Sequence, residues 1–157
     1  MALHDDIATL SSAPLFSLLG TDALRLVAFA AETRSLREGD VLFRRGDRSD
    51  GGYVVKAGAI ALDPHGNGGP PAFVAEPGAV IGQAALFTRL TRGATATALE
   101  PSVLIRVSPS LMRRVLEEFP QAAEAMRDIM EEEFAQLTQG LEDVRQRLMA
   151  IGAAAAG

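Results

Sequence analysis

The sequence predicts a mainly β domain flanked by helices, and three observations carry that prediction. Between Thr33 and Val107, short apolar runs are broken every few residues by Gly, Pro or Asp, the punctuation of a small barrel or sandwich. Residues 1–32 and those beyond Val107 place apolar side chains at helical spacing behind capping residues. A length of 157 residues, 48% apolar and 22% charged, suits one globular domain with a substantial core.

In the N-terminal part, Ser12 and Pro14 precede Leu15-Phe16-Ser17-Leu18-Leu19, and Gly20 closes that short segment. Thr21 and Asp22 then offer an N-cap for a helix from Ala23 to about Ala31, with Leu24, Val27, Ala28 and Ala31 on one face. Strand-like runs follow at Val41–Phe43, Gly52–Val55, Ala59–Leu62, Ala72–Val74, Val80–Ile81, Ala94–Ala98 and Val103–Ile105. The stretch Asp63-Pro-His-Gly-Asn-Gly-Gly-Pro-Pro71 reads as a mobile hairpin tip, and its glycines lack the Lys and Ser/Thr of a phosphate loop. Ser108 caps a helix with Pro109 at its first position, running to about Phe119. Pro120 opens a longer helix that ends near Ile151.

Within that last helix Phe134, Leu137, Leu141, Val144, Leu148 and Ile151 recur at alternating spacings of three and four. Such a seam either packs on the domain itself or pairs with a partner helix. Its narrowness favours a two-stranded coiled coil, hence a homodimer. The same region is acidic: from Glu117 to Arg147 nine acids stand against three bases, while the whole chain carries −5. That field repels a phosphate backbone, so nucleic acid is not an expected partner.

Other classes are excluded by inventory. No apolar run is long enough to cross a bilayer, and Met1-Ala-Leu-His-Asp-Asp6 lacks the basic start of a signal peptide, so a cytoplasmic protein without membrane partners is expected. There is no cysteine, which removes disulfides, thiol nucleophiles and thiolate metal sites. The two histidines, His4 and His65, sit at a terminus and in the glycine-rich tip. No zinc, nucleophile-elbow or carboxylate-cluster motif is present, so neither enzymatic activity, a metal nor a cofactor is expected.

One stretch does carry chemistry: Pro77-Gly-Ala-Val-Ile-Gly-Gln-Ala-Ala-Leu-Phe-Thr-Arg-Leu-Thr-Arg-Gly-Ala-Thr95. Gly82 lets the backbone pass close to something. Ala84 and Ala85 begin a short helical turn with unpaired first amides, and Arg92 follows ten positions after Gly82. Free amides and a guanidinium make an anion site of phosphate size, too small for a dinucleotide.

This stretch resembles the phosphate-binding cassette of cyclic-nucleotide-binding domains, the family of the catabolite activator, protein kinase A regulatory subunits and nucleotide-gated channels. The family pattern is Gly-Glu-x-Ala-Leu, a variable loop, then Pro-Arg-Ala-Ala-Thr. Upstream, Gly39-Asp-Val-Leu-Phe-Arg-Arg-Gly-Asp-Arg-Ser-Asp-Gly-Gly-Tyr-Val-Val-Lys-Ala-Gly58 is similar to the family's other signature. The resemblance runs from about Leu15 to Leu148. It implies an eight-stranded antiparallel β-roll, residues 33–107 with the cassette at 78–95, between N-terminal helices (1–32) and C-terminal helices (108–151). The ligand would lie between roll and C-terminal helix.

Carried over by position, the resemblance implies that Arg92 grips the cyclic phosphate, helped by Gly82 and the amides of Ala84 and Ala85. Gln83 stands where the family has a Glu for the ribose 2′-hydroxyl. Gly93 and Ala94 continue the ligand-facing segment, and Leu137 and Thr138 fall where relatives touch the purine. Gln83 can accept one hydrogen bond but cannot pair electrostatically with Arg92, a loss of about 1 kcal/mol, or fivefold to tenfold in affinity. Thr91 replaces the usual Pro. Gly93 occupies the place where cyclic-GMP-selective relatives carry Thr, which favours cyclic AMP.

The expected protein is therefore a cyclic-nucleotide sensor whose C-terminal helices move on binding, with no DNA-binding domain of its own. Its output passes to a separate effector or through the homodimer. The alternative is a degenerate domain that no longer binds nucleotide and serves as an interaction or dimerisation module. A third reading is a regulatory piece of a channel or kinase subunit.

Overall fold

The computed structural model describes residues 2–156, with side chains at 3–132, 135–136 and 138–150. Its backbone forms two compact units, Met1–Ala122 and Ala123–Gly157. The sequence predicts a single domain, and helix α4 (Pro120–Ala156) runs across that division.

The first unit holds eight strands: β1 (Glu32–Leu36), β2 (Val41–Phe43), β3 (Gly52–Ala57), β4 (Ile60–Asp63), β5 (Phe73–Ala75), β6 (Val80–Ile81), β7 (Thr95–Ala98) and β8 (Ser102–Val107). They form two four-stranded antiparallel sheets in the orders β1-β8-β3-β6 and β2-β7-β4-β5. This is the β-roll that the resemblance implies. Seven of its strands coincide with the apolar runs of the sequence. The eighth, β1, is polar, and it sits at a sheet edge paired through Glu32↔Arg106 and Leu36↔Ser102. An edge strand needs few buried side chains, so hydrophobicity does not mark it.

Alternation along the strands builds the core. Tyr53, Val55 and Leu104 join Ile60, Ala75, Ile81, Ala96 and Ala98 in one buried cluster, with Leu36, Leu42, Phe43 and Leu62 packed on it. The intervening Val54 and Ile105 oppose each other on the other face of the β3–β8 pair and are equally buried. Burial on both faces explains the near-continuous apolar run Tyr53-Val54-Val55. The segment between β4 and β5 is an irregular hairpin tip, as its composition predicts, gathered by Asp63, whose carboxylate accepts from the His65 and Gly68 amides.

Helix α1 (Ala2–Ser12) packs on β3 and on α2 (Thr21–Ala30), and α2 packs on α3 (Pro109–Glu118). Leu10, Phe16 and Val27 are fully buried there, each worth about 1.5–3 kcal/mol of transfer free energy. The sequence reading does not single out α1, although Leu3, Ile7 and Leu10 have helical spacing. An ion pair ties α1 to the roll, Lys56 Nζ lying 2.7 Å from Asp6 Oδ1. Leu15–Leu19 forms only a single 3-10 turn at Phe16–Leu18. Ser108 caps α3 as predicted, its Oγ accepting from the Leu111 amide at 3.1 Å.

In the second unit, α4 continues to Ala156, past the end near Ile151 read from the sequence. Ala-rich sequence costs a helix little, so Gly152 does not stop it. Every described side chain from Met130 onward is exposed, including the seam residues Leu141, Val144 and Leu148 at 64, 51 and 64%. The side chains of the other seam residues, Phe134, Leu137 and Ile151, lie outside the described ones. Among the described residues no helix is long and apolar enough to cross a membrane.

The Ser108 cap sets where the roll hands over to α3. Ser108→Ala is expected to lower stability by about 1 kcal/mol, read as a lower urea midpoint at unchanged slope; an unaltered midpoint would show that the cap contributes nothing.

Candidate functional site

The site is built from two loops laced together. The Arg92 amide donates to Asp47 O at 2.7 Å, and the Gly46 amide donates to Arg92 O at 2.9 Å. The Ser49 amide donates to Leu90 O, while buried Ser49 Oγ accepts from the Leu90 amide at 2.9 Å. Asp47 stiffens its own turn by accepting from the Arg44 amide. Residues 44–51 and 90–92 are thus tied together, and Arg92 leaves their junction buried in the roll.

Arg92 as a whole is 4% exposed, an unusual state for arginine. The guanidinium carbon stands 4.1 Å from the centre of the Phe43 ring and 5.7 Å from that of Tyr53, so aromatic faces replace part of the lost hydration. Arg92 Nη2 donates to Gly51 O at 2.7 Å and lies 3.5 Å from Asp50 Oδ1. Burial pushes the arginine pKa below its usual value, while the Tyr53 hydroxyl and the Asp50 carboxylate pull it back. Nε is buried with no hydrogen-bond partner among the described residues.

Gly82 closes the other side. It adopts the left-handed conformation (φ 74°, ψ 57°), and a Cβ there would lie 2.7 Å from Arg92 Nη1. The close approach foreseen for this glycine is therefore to the arginine itself. Gln83–Leu86 forms a 3-10 turn, and the Ala85 amide donates to Gly82 O at 3.0 Å to close it. That occupies one of the two amides expected to be free. Gln83 is half-buried and Ala84 exposed, whereas Ala85 is buried. Gly93 is exposed with open space around its Cα, and Ala94 is half-buried.

The structure thus brings Gly82 and Arg92 together and adds neighbours that sequence reasoning did not assign: Phe43, Tyr53, Asp50 and Gly51. All four lie inside the Gly39–Gly58 signature, which is the signal that could have drawn attention to them. Asp50 is the hub. Its carboxylate accepts from Tyr53 Oη at 3.1 Å and Arg34 Nη2 at 3.4 Å, and Arg106 lies 3.7 Å away. Arg106 also donates to Asp50 O and to Glu32. A desolvated guanidinium with an unpartnered Nε, beside a glycine without a side chain, has the chemistry to accept an oxyanion and none to move protons at neutral pH.

The sequence profile described as the cyclic nucleotide-binding domain matches residues 33–119. The chain belongs to this family. It is one of regulatory nucleotide-binding domains, and its solved members include a cyclic nucleotide-binding-like protein from Brucella abortus. That structure is 39% identical with a TM-score of 0.65, covering 72% of this chain and 98% of its own. The cAMP-dependent protein kinase regulatory subunit of Dictyostelium discoideum is 29% identical across 86% of this chain and 45% of its own length. Lysophospholipase nte1 of Aspergillus fumigatus is 30% identical across 80% of this chain, but only 9% of the lysophospholipase is involved. The chain therefore spans less than half of either curated relative.

The cyclic nucleotide-binding domain profile ends before Leu137 and Thr138, the two residues expected from the resemblance to meet the purine. Leu137 and Thr138 lie on α4 in the second unit, where Thr138 is exposed and the Leu137 side chain falls outside the described ones.

Tyr53, the only tyrosine, gives this domain a spectroscopic reporter. Burial first, then the Asp50 charge, push its hydroxyl above the ordinary tyrosine value, with Arg34 opposing. The folded state holds that proton more tightly than the unfolded chain, so this group's contribution to stability falls as pH rises through the window between the two values. Absorbance titration at alkaline pH is expected to give a midpoint above about 10, lowered in Asp50→Asn; an ordinary midpoint in the wild type would overturn the assignment of Tyr53 to a closed, acid-linked site.

Proposed function

We propose that this protein is a sensor of cyclic nucleotide, with cyclic AMP preferred, and that Arg92 binds the ligand phosphate. The observation that carries this reading is the state of Arg92: buried, stacked on Phe43, steered by Gly51 O, with Nε unpartnered and Gly82 bare beside it. Membership of the cyclic nucleotide-binding family and the likeness to a cAMP-dependent kinase regulatory subunit support it. Gln83 and Ala84 would flank the phosphate and ribose, Gly93 and Ala94 would follow the arginine, and Leu137 and Thr138 would meet the base. Binding would shift the helices after β8, and a separate effector in the cytoplasm would read that shift.

A second reading has its own observation. Arg92 already bonds Gly51 O beside Asp50, and Gln83 lacks the negative charge of the family's Glu. On that reading the domain no longer binds nucleotide and acts by interaction or dimerisation alone.

Titration calorimetry with cyclic AMP and cyclic GMP separates the two. Sensing predicts micromolar cyclic AMP, weaker cyclic GMP, and a loss of about 10- to 100-fold for Arg92→Ala. Gln83→Glu should tighten binding by about fivefold. Absence of both heat and thermal shift at millimolar nucleotide would establish the second reading.

We also propose a homodimer through α4, supported by exposed Leu141, Val144 and Leu148 at heptad spacing. Light scattering should report twice the chain mass, reduced to one in Leu141→Asp; a variant that keeps the doubled mass would sink the coiled coil.

A further inference from the structure

The first unit carries a second, separate concentration of charge. An open cleft of about 860 Å³ lies where the turn before β3, the end of the cassette turn and the start of α3 meet. Among its lining residues are Arg48, Arg89, Arg106 and Arg113, with the hydroxyls of Thr88 and Ser110. Arg106 is committed to Glu32 and Asp50. The one acid of the cleft, Asp50, is shared among Tyr53, Arg34, Arg92 and Arg106. Among the described residues, Arg48, Arg89 and Arg113 have neither an ion pair nor a side-chain hydrogen bond, and all three are exposed.

Three uncompensated guanidinium groups from three different elements converge on a chain whose net charge is −5. Their mutual repulsion brings the fold no return. Helix α3 sharpens the point. It has no acid in its first turn to offset the positive end of its dipole, and Arg113 follows in the next turn. The Ser110 amide, in that first turn, has no carbonyl four residues back inside the helix. Like charges kept in a concave surface focus a positive potential, and guanidinium forks, hydroxyls and a helix-end amide together match tetrahedral oxyanions.

We infer that this cleft binds a small oligophosphate, a ligand with two or more linked phosphate groups. Its size lies in the usual range of about 300–1,000 Å³ for small-molecule sites, more than a single phosphate needs. The site is distinct from the Arg92 site: Arg92 is buried inside the roll and does not line the cleft. Ser49, Asp50 and Arg106 border both, but Arg92 belongs to one site and Arg48, Arg89 and Arg113 to the other, so substitutions at these four test them separately.

The test is calorimetric titration of the full chain with inorganic tripolyphosphate at low salt, beside Arg48→Ala, Arg89→Ala, Arg113→Ala and Arg92→Ala. The expected result is saturable one-site binding that weakens by about fivefold or more in each cleft variant, is retained in Arg92→Ala, and persists with saturating cyclic AMP. Because the three cleft arginines are exposed and repel one another, the variants should keep the wild-type urea midpoint or raise it slightly. The inference is overturned by no binding at about 10 mM tripolyphosphate, by cleft variants that bind like wild type, or by loss only in Arg92→Ala. Equal affinity for a hexaglutamate peptide would also overturn it, making the cleft a general docking surface for acidic chains.

Discussion

The structure around the site depends on one constraint, the removal of the Arg92 guanidinium from water. Burying an unpaired cation costs several kcal/mol, so its neighbours must return most of that. The Phe43 face, Gly51 O and the Asp50 carboxylate do so together. Phe43 ends β2 while Asp50 and Gly51 form the turn before β3, and both segments must be held still for the contacts to form. Hence the lacing of residues 44–51 to 90–92 through Ser49, Leu90, Gly46 and Asp47.

The same constraint reaches the end of the roll. Gly51 presses against β8, where a Cβ would lie 2.6 Å from Val107 O. Ser108, the cap of α3, comes next in the chain. The carbonyl that holds Arg92 therefore belongs to a residue in contact with the point where the roll becomes helix. Gly51 thus links the Arg92 site to the start of α3 through direct contacts. Asp50 spreads the same coupling sideways to Arg34 and Arg106, and so to Glu32 at the edge of β1. The arginine pairs also hold the Glu32 carboxyl below the usual carboxylate range, Arg106 foremost.

Much of this was legible before any coordinates. Runs such as Tyr53-Val54-Val55 and Val103-Leu104-Ile105 mark strands buried on both faces, and Ser108-Pro109 marks a helix start. β1 was not legible because Glu32-Thr-Arg-Ser-Leu36 hides its strand character in polar residues that face solvent at an edge. In the site, Gly82 and Arg92 stood out because a glycine and a cation in an otherwise small, apolar stretch ask for a reason. The free amide expected at Ala85 did not survive, since a 3-10 turn closes one residue sooner than an α-turn and uses that donor itself.

By itself the sequence determined the fold class and the family of regulatory nucleotide-binding domains to which the chain belongs. Periodicity and turn residues are local properties, and so are the two motifs that carry the family resemblance. Only the tertiary structure decided that Arg92 turns inward onto Phe43 and Gly51 O, that Asp50 joins four partners, and that Arg48, Arg89 and Arg113 share one cleft. Most of those facts depend on distances between segments far apart in the chain: Arg92 and Gly51 are 41 residues apart, Arg106 and Asp50 56. No local pattern encodes such a distance; it is set by how two sheets close around their common core.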